Sequence, residues 1–310
     1  MASFTPASIL IFGATGNIGS HITEAILKAS PGLGKVTVFT SQGTADGKKE
    51  LLDRWKSQGA GVVVGDLASA ADVSAAYKDH DVDTVVSAVG RNVLAHQMEL
   101  IRLAEASGTV KWFFPSEYGT DIEHNERSAG EKPHQVKLAV RRMIRDEIKR
   151  LHVTYLVTGP YFDMWVTAGN FDAARREANV IDDGEGRIGF CTMPDVGKFL
   201  VAALRHPEAS FGKALKVQSF VVTPNQVLAE YEKQTGGSKW KVAKTPLDQY
   251  RQMEQKAWEE GDAKATMRTL RRIWAEGGTL YDKNDNELLE MGEGELDSLE
   301  VAVKRQLAGQ

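Results

Sequence analysis

A short apolar run, "SILIFGA", leads straight into "TGNIGSHITEAILKAS", and this junction constrains the chain more than any other stretch. Gly13, Gly16 and Gly19 lie between a predicted strand and a predicted helix, whose Ile18, Ile22 and Ile26 recur at helical spacing. Such a turn lets backbone amides approach a pyrophosphate at a helix N-terminus, where free N–H groups and the helix dipole favour an anion. The spacing is GxxGxxG rather than GxGxxG, and the tighter first turn leaves Thr15 and Asn17 free for polar contacts. Glycine triplets also mark plain turns. The position after the first strand of an alternating pattern is what points to a dinucleotide.

That pattern continues. "KVTVFT", "GVVVGD", "VDTVVSAVG", "VKWFFP" and "VTYLVTG" read as strands, separated by helices "KKELLDRWKSQG", "ADVSAAYKDH", "NVLAHQMELIRLAEASG" and "PHQVKLAVRRMIRDEIKR". Buried β-branched runs alternating with amphipathic helices are the signature of βαβ units in a parallel sheet. After Gly159 the regularity breaks. "IDDGEGRIGFCTMPDVGKFLVAALRH" reads as a turn, a strand and a helix returning to the first part, and "KALKVQSFVVTP" as a further strand. From Pro224 onward the chain is mainly helical, and Tyr231, Trp240, Tyr250, Trp258 and Trp274 are expected in the core rather than in a pocket. The fold class is therefore α/β: a doubly wound parallel sheet with a smaller, mainly helical C-terminal part. The expected division is 1–158 with a returning segment at about 186–222, against 159–185 and 223–310 as the substrate-binding part.

A net charge of −4, a pI near 6.0 and no basic run with interleaved aromatics argue against a nucleic-acid surface. One cysteine, Cys191, leaves neither a disulfide framework nor a thiol cluster for zinc, and His124 lacks ligand spacing. No apolar run approaches the roughly 18 residues of a membrane span, and "MASFTPAS" lacks the features of a signal peptide. A cytoplasmic protein acting on a small molecule is the expectation; the sequence does not speak to oligomeric state.

The second strand ends "VFTSQGTADGKK". Where NAD sites commonly place a carboxylate, this chain has Thr40 and Ser41, with Lys48 and Lys49 following. Hydroxyls and a lysine accept a 2′-phosphate that a carboxylate would repel, which favours NADP(H); alternatively the two lysines simply begin a solvated helix. Asp66, after the third strand, either contacts adenine or caps a helix.

With "GATGNIG", "GDL", "FFPSEYG" and "KLAVRR" in this order, the chain resembles the NmrA-like and isoflavone reductase-like family of atypical short-chain dehydrogenase/reductases, from about residue 8 to residue 205. The resemblance implies a Rossmann domain that binds NADPH and a smaller domain closing a substrate cleft over the nicotinamide. It also implies that Gly13, Thr15, Gly16, Asn17 and Ile18 form the phosphate loop, and that Ala88, Val89 and Gly90 lie beside the cofactor's ribose. Lys137 matches the lysine that serves as acid/base in the family's reductases. Two departures stand out. Thr40 replaces an arginine usual in those reductases, and Gly159-Pro160-Tyr161 replaces an asparagine followed two residues on by phenylalanine, which puts Tyr161 at the nicotinamide pocket.

Lys137 lies in "EKPHQVKLAVRR", where the residue four positions earlier is Pro133, not the tyrosine that partners such a lysine in the larger short-chain group. Val136, Val140, Met143 and Ile144 form the stripe expected to face the sheet, with His134, Lys137 and Arg141 on a face beside it. A partly buried lysine among cations has a lowered pKa, suited to proton transfer near neutrality. Tyr118 is a possible substitute for the missing tyrosine, Ser116 a possible partner for a substrate oxygen, and Glu117 a structural partner. The long polar loop "SEYGTDIEHNERSAGE" has the length of a lid. These features predict an NADPH-dependent reductase of a small aromatic or conjugated metabolite, placed in secondary metabolism. The alternatives are a non-catalytic NADP(H)-sensing regulator and a redox-neutral isomerase or dehydratase.

Overall fold

Strand β1 (Ser8–Phe12) is buried along its whole length, and its period-two alternation feeds two cores. Ile9 and Ile11 enter one apolar cluster, while Leu10 and Phe12 enter the other. In the computed structural model, which describes residues 4–168 and 171–309, β1 is central to a six-stranded parallel sheet. Its other strands are β2 (Lys35–Thr40), β3 (Gly61–Val64), β4 (Thr84–Ser87), β5 (Trp112–Phe114) and β6 (His152–Val153), in the order β3-β2-β1-β4-β5-β6. The connecting helices are α1 (Asn17–Ala29), α2 (Gln42–Gly47), α3 (Lys49–Ser57), α4 (Ala70–Asp79), α5 (Gln97–Ser107) and α6 (Gln135–Glu147). Strand order reverses between β1 and β4, so the crevice at their carboxyl ends is the place where such sheets bind ligands.

The segment expected as one strand at 153–159 divides at Thr154. β6 pairs with β5, whereas β7 (Tyr155–Val157) pairs in parallel with β11 (Ala214–Lys216). Thr154 Oγ1 accepts the indole N–H of Trp112 at 2.9 Å and donates to Ser210 O at 2.7 Å. Between these strands lie α7 (Phe162–Thr167), β8 (Phe171–Asp172), β9 (Glu177–Ile181), β10 (Ile188–Phe190), α8 (Met193–Arg205) and α9 (Pro207–Ser210). Helix α8 returns onto α1, where Gly197 allows close approach: a Cβ there would lie 2.6 Å from His21 O.

The stretch expected as one strand in "KALKVQSFVVTP" holds two, β11 and β12 (Phe220–Val222), the latter antiparallel to β10. The remainder is largely helical: α10 (Pro224–Gln234), α11 (Leu247–Glu259), α12 (Ala265–Ala275) and α13 (Leu299–Ala308), with one strand, β13 (Lys241–Thr245), that joins β9. Tyr231, Trp240 and Trp274 share a third apolar cluster with Phe162, Trp165 and Phe190, and Tyr250 is buried as well. Trp258, the other aromatic expected in the core, is half-buried on a polar groove beneath Lys132. Among the described residues no helix is long and apolar enough to cross a membrane.

Candidate active site

The loop after β1 is shaped by contacts that leave no room for a Cβ. Gly13 has φ +72°, and a Cβ on it would lie 2.5 Å from Ala88 O. A Cβ on Gly19 would lie 2.0 Å from Gly13 O. Gly16 donates its N–H to Gly13 O at 3.0 Å and forms the N-cap of α1 without a side-chain cap. The first turn of this thirteen-residue helix carries no acidic residue, so the amides of Asn17 and Ile18 remain available to an anion. Gly13, in the loop that also holds Thr15, Gly16, Asn17 and Ile18, thus sits against Ala88 and Val89, which follow β4. The cradle fits a dinucleotide pyrophosphate.

The residues expected at the adenine end behave less uniformly. Thr40 is buried at the end of β2, where its carbonyl accepts the Gly65 N–H. Ser41 caps α2, its Oγ accepting the Thr44 N–H at 3.3 Å, so that hydroxyl is already engaged. Helix α2 then separates Lys48 from the strand end, and Lys49 pairs with Asp53 one turn further along α3. Asp66 does not cap a helix. Ser69 caps α4, while exposed Asp66 accepts the Ala68 N–H within its own turn.

Beyond the cradle the chain passes from Gly90 to Arg91, which opens a cleft of about 450 Å³. Its walls include Tyr118, Thr120, His134, Lys137, Tyr161, Met164, Trp165 and, from α12, Met267, Leu270 and Trp274. Among the described residues no carboxylate lines it. Half-buried Lys137 donates from Nζ to Glu117 O at 2.7 Å. Burial lowers its pKa to about 8; Glu117 opposes the shift, and Arg91 and Arg141 add to it. The repulsion expected along the helix face is therefore the smaller cause, because the neighbouring Arg141 is itself neutralised. Its guanidinium donates to both Glu117 carboxylate oxygens at 3.1 and 3.2 Å and to Glu123 at 2.8 Å. Both Arg141 and Glu117 are buried, so Glu117 is the structural partner expected.

Three local expectations need correction. Val140, Met143 and Ile144 are buried, but Val136, on the same helical face in the first turn of α6, is 43% exposed. Ser116 is not a wall of the cleft: its hydroxyl donates to Val89 O at 3.0 Å and its amide to Gln97 at 2.6 Å. The loop expected to be a lid is pinned at several points. Gly119 O accepts two backbone N–H groups, Asp121 pairs with Lys216 at 3.1 Å, and Asn125 closes a capping box around the turn Glu126–Gly130.

Pro133 indeed leaves Lys137 without a tyrosine four residues before it, but Tyr118 and Tyr161 both reach the cleft. Tyr161 Oη donates to Tyr118 O at 2.6 Å. The buried Tyr118 hydroxyl has no hydrogen-bond partner among the described residues, and burial, with Tyr161 nearby, raises its pKa well above the usual tyrosine range, so it stays protonated. The α12 wall and Arg91 were not read from the sequence. An arginine after the fourth strand and a helix with apolar residues at 267 and 270 carry no signal that tells a cleft wall from a surface or a core.

The family model described as the NmrA-like family matches residues 5–261, which extends past the region where the motifs stand out. The chain is 31% identical over 251 residues to isoflavone reductase from Medicago sativa, covering 75% of this chain and 77% of that protein. It is 32% identical over 236 residues to phenylcoumaran benzylic ether reductase PT1 from Pinus taeda, covering 73% and 74%. In fold it is similar to leucoanthocyanidin reductase from Vitis vinifera, solved as a binary complex with NADPH, with a TM-score of 0.82, 20% identity and coverage of 97% and 100%. Glycine cradle, parallel sheet and family match agree: the chain belongs to the NmrA-like family.

Proposed function

We propose that this chain is an NADPH-dependent reductase of a small aromatic or conjugated metabolite, acting in the cytoplasm, with Lys137 as its proton-handling group. The observation that carries the reading is the placement of Lys137, its pKa near 8, on the wall of a largely apolar cleft that begins at Arg91, the residue after Gly90. The similarity to isoflavone reductase and to phenylcoumaran benzylic ether reductase supports the same class of activity. Residues 159–185 and 223–310 are read as the substrate-binding part.

Gly13, Thr15, Gly16, Asn17 and Ile18 would hold the pyrophosphate, Ala88, Val89 and Gly90 the nicotinamide ribose, and Thr40, Ser41 and Asp66 the adenosine end. Tyr161 would bound the nicotinamide side of the cleft. When bound, the cofactor supplies a hydride for an electrophilic carbon. This chain's own part is to orient the substrate, exclude water with the α12 wall, and exchange a proton between Lys137 Nζ and a substrate oxygen. Glu117 fixes the ammonium through its backbone carbonyl and holds Arg141 in place through its carboxylate. No tyrosine next to the lysine in the helix is required, because a lysine with its pKa near 8 is itself a proton donor and acceptor at neutral pH.

The test is calorimetric titration with NADPH, NADP⁺ and NADH, followed by turnover of Lys137→Ala. NADPH is expected to bind well ahead of NADH. The variant should bind NADPH within about twofold of the parent and lose turnover by roughly 10²–10⁴, the usual reach of a general acid/base. Binding of oxidised forms alone would instead indicate a sensor, and retained turnover would remove Lys137 from the mechanism.

A further inference from the structure

His134 stands one turn before Lys137 and is only 2% exposed. It closes the short turn Lys132–His134, with Pro133 fixing the backbone just ahead of α6. One side of the imidazole is committed: Nδ1 lies 2.9 Å from Ser128 O. A carbonyl only accepts, so Nδ1 must carry the hydrogen, and in the neutral ring Nε2 is then an acceptor. Burial lowers the pKa of His134, which keeps the ring neutral at physiological pH. Among the described residues Nε2 has no hydrogen-bond partner. The ring lines the cleft, whereas Ser128 does not.

A buried acceptor left unpaired is costly, and in a binding cleft it selects for a ligand that can satisfy it. Among the described residues no polar group on this wall donates to it, and the Tyr118 hydroxyl is likewise without a partner. Lys137 Nζ already donates to Glu117 O, Arg91 donates to Pro133 O at 3.3 Å, and Tyr161 donates to Tyr118 O.

We propose that His134 is a specificity-determining residue whose Nε2 accepts a hydrogen bond from a hydroxyl of the substrate. The cleft then favours hydroxylated aromatic ligands over isosteres with a methyl in place of the hydroxyl. Next to Lys137, the accepted hydroxyl lies on the same wall as the proton-handling group. This inference deepens the reductase reading and rests on it for where the substrate sits.

The probes are 4-hydroxyacetophenone and its isostere 4-methylacetophenone, titrated calorimetrically into the protein with and without NADP⁺. The unmodified protein is expected to prefer the phenol roughly three- to tenfold, the range of one neutral hydrogen bond. His134→Asn keeps an amide N–H toward Ser128 but has no group at Nε2, and its preference should fall to about one. His134→Gln sets a polar atom near the Nε2 position and should retain part of the preference. A protein with no preference for the phenol, or a His134→Asn variant that keeps it, overturns the proposal. NADPH affinity, measured on the same samples, is a separate readout: bound NADPH with no phenol preference refutes only the role of His134. Absent NADPH binding refutes the reductase reading, while the ratio of probe affinities in the NADP⁺-free titrations still decides the role of His134.

Discussion

The cradle at the end of β1 is shaped by backbone, whereas the cleft around Lys137 is shaped by side chains. In the cradle, Gly13 and Gly19 bring main-chain atoms so close that a single Cβ would collide with a carbonyl. Around the cleft, the contacts that fix α12 join polar side chains. Trp274 Nε1 donates to Thr120 Oγ1 at 2.8 Å, and Arg272 reaches Glu131 at 2.7 Å, Glu254 at 2.6 Å and Glu276 at 3.0 Å. A backbone-limited site admits one residue type at each tight position. A side-chain-limited site admits many pairs, provided each buried donor finds its acceptor.

The largest test of this contrast is in the buried ion pair next to Lys137. Arg141→Met would leave the buried Glu117 carboxylate without its bidentate partner and should cost about 3–5 kcal/mol, read by urea unfolding. A loss under about 1 kcal/mol would show that the pair is dispensable. Next is Gly19→Ala in the cradle. Its Cβ cannot coexist with Gly13 O at the present spacing, so overpacking should cost about 2–4 kcal/mol and weaken NADPH binding in step. Unchanged thermal stability in that variant would mean the loop shifts freely and is not backbone-limited. Smaller again is Trp274→Phe, which removes one indole N–H from Thr120 and should cost about 1 kcal/mol while leaving NADPH affinity alone. Equal effects on cofactor and on aromatic ligands would erase the distinction between the two regions.

This contrast also explains what could be read from the residues alone. The cradle was legible because glycine spacing after an apolar strand encodes a backbone constraint, and strand β1 was legible because both its faces are buried. The position of Lys137 on an amphipathic helix was legible too. The split at Thr154 was not, since "VTYLVTG" has the pattern of one strand and only the partners of Trp112 and Ser210 divide it. Nor was the cap role of Ser41, because a hydroxyl at a strand end suits a ligand and a helix equally well. Val136 misled because it keeps the stripe's i, i+4 spacing yet stands in the first turn of α6, where it is exposed. The α12 wall was beyond reach for the same reason that its chemistry is permissive: Met267 and Leu270 meet Lys137 only through the tertiary fold.

A further test concerns how the cleft titrates. Lys137 has a folded pKa near 8 against an ordinary 10.5, so between these values the unfolded chain binds more protons than the folded one. Stability from this group therefore rises as pH increases from about 8 to 10.5, and below 8 the charged lysine is a net burden on the fold. Lys137→Met keeps the aliphatic stem and removes the titration, at the expense of the bond to Glu117 O. That lost bond is a constant offset, so the difference in stability between parent and variant should still shift toward the parent across this window. Urea midpoints at the two ends of the window measure it. A difference that stays flat, or moves toward the variant, would mean the ammonium remains solvated and that the cleft does not lower its pKa.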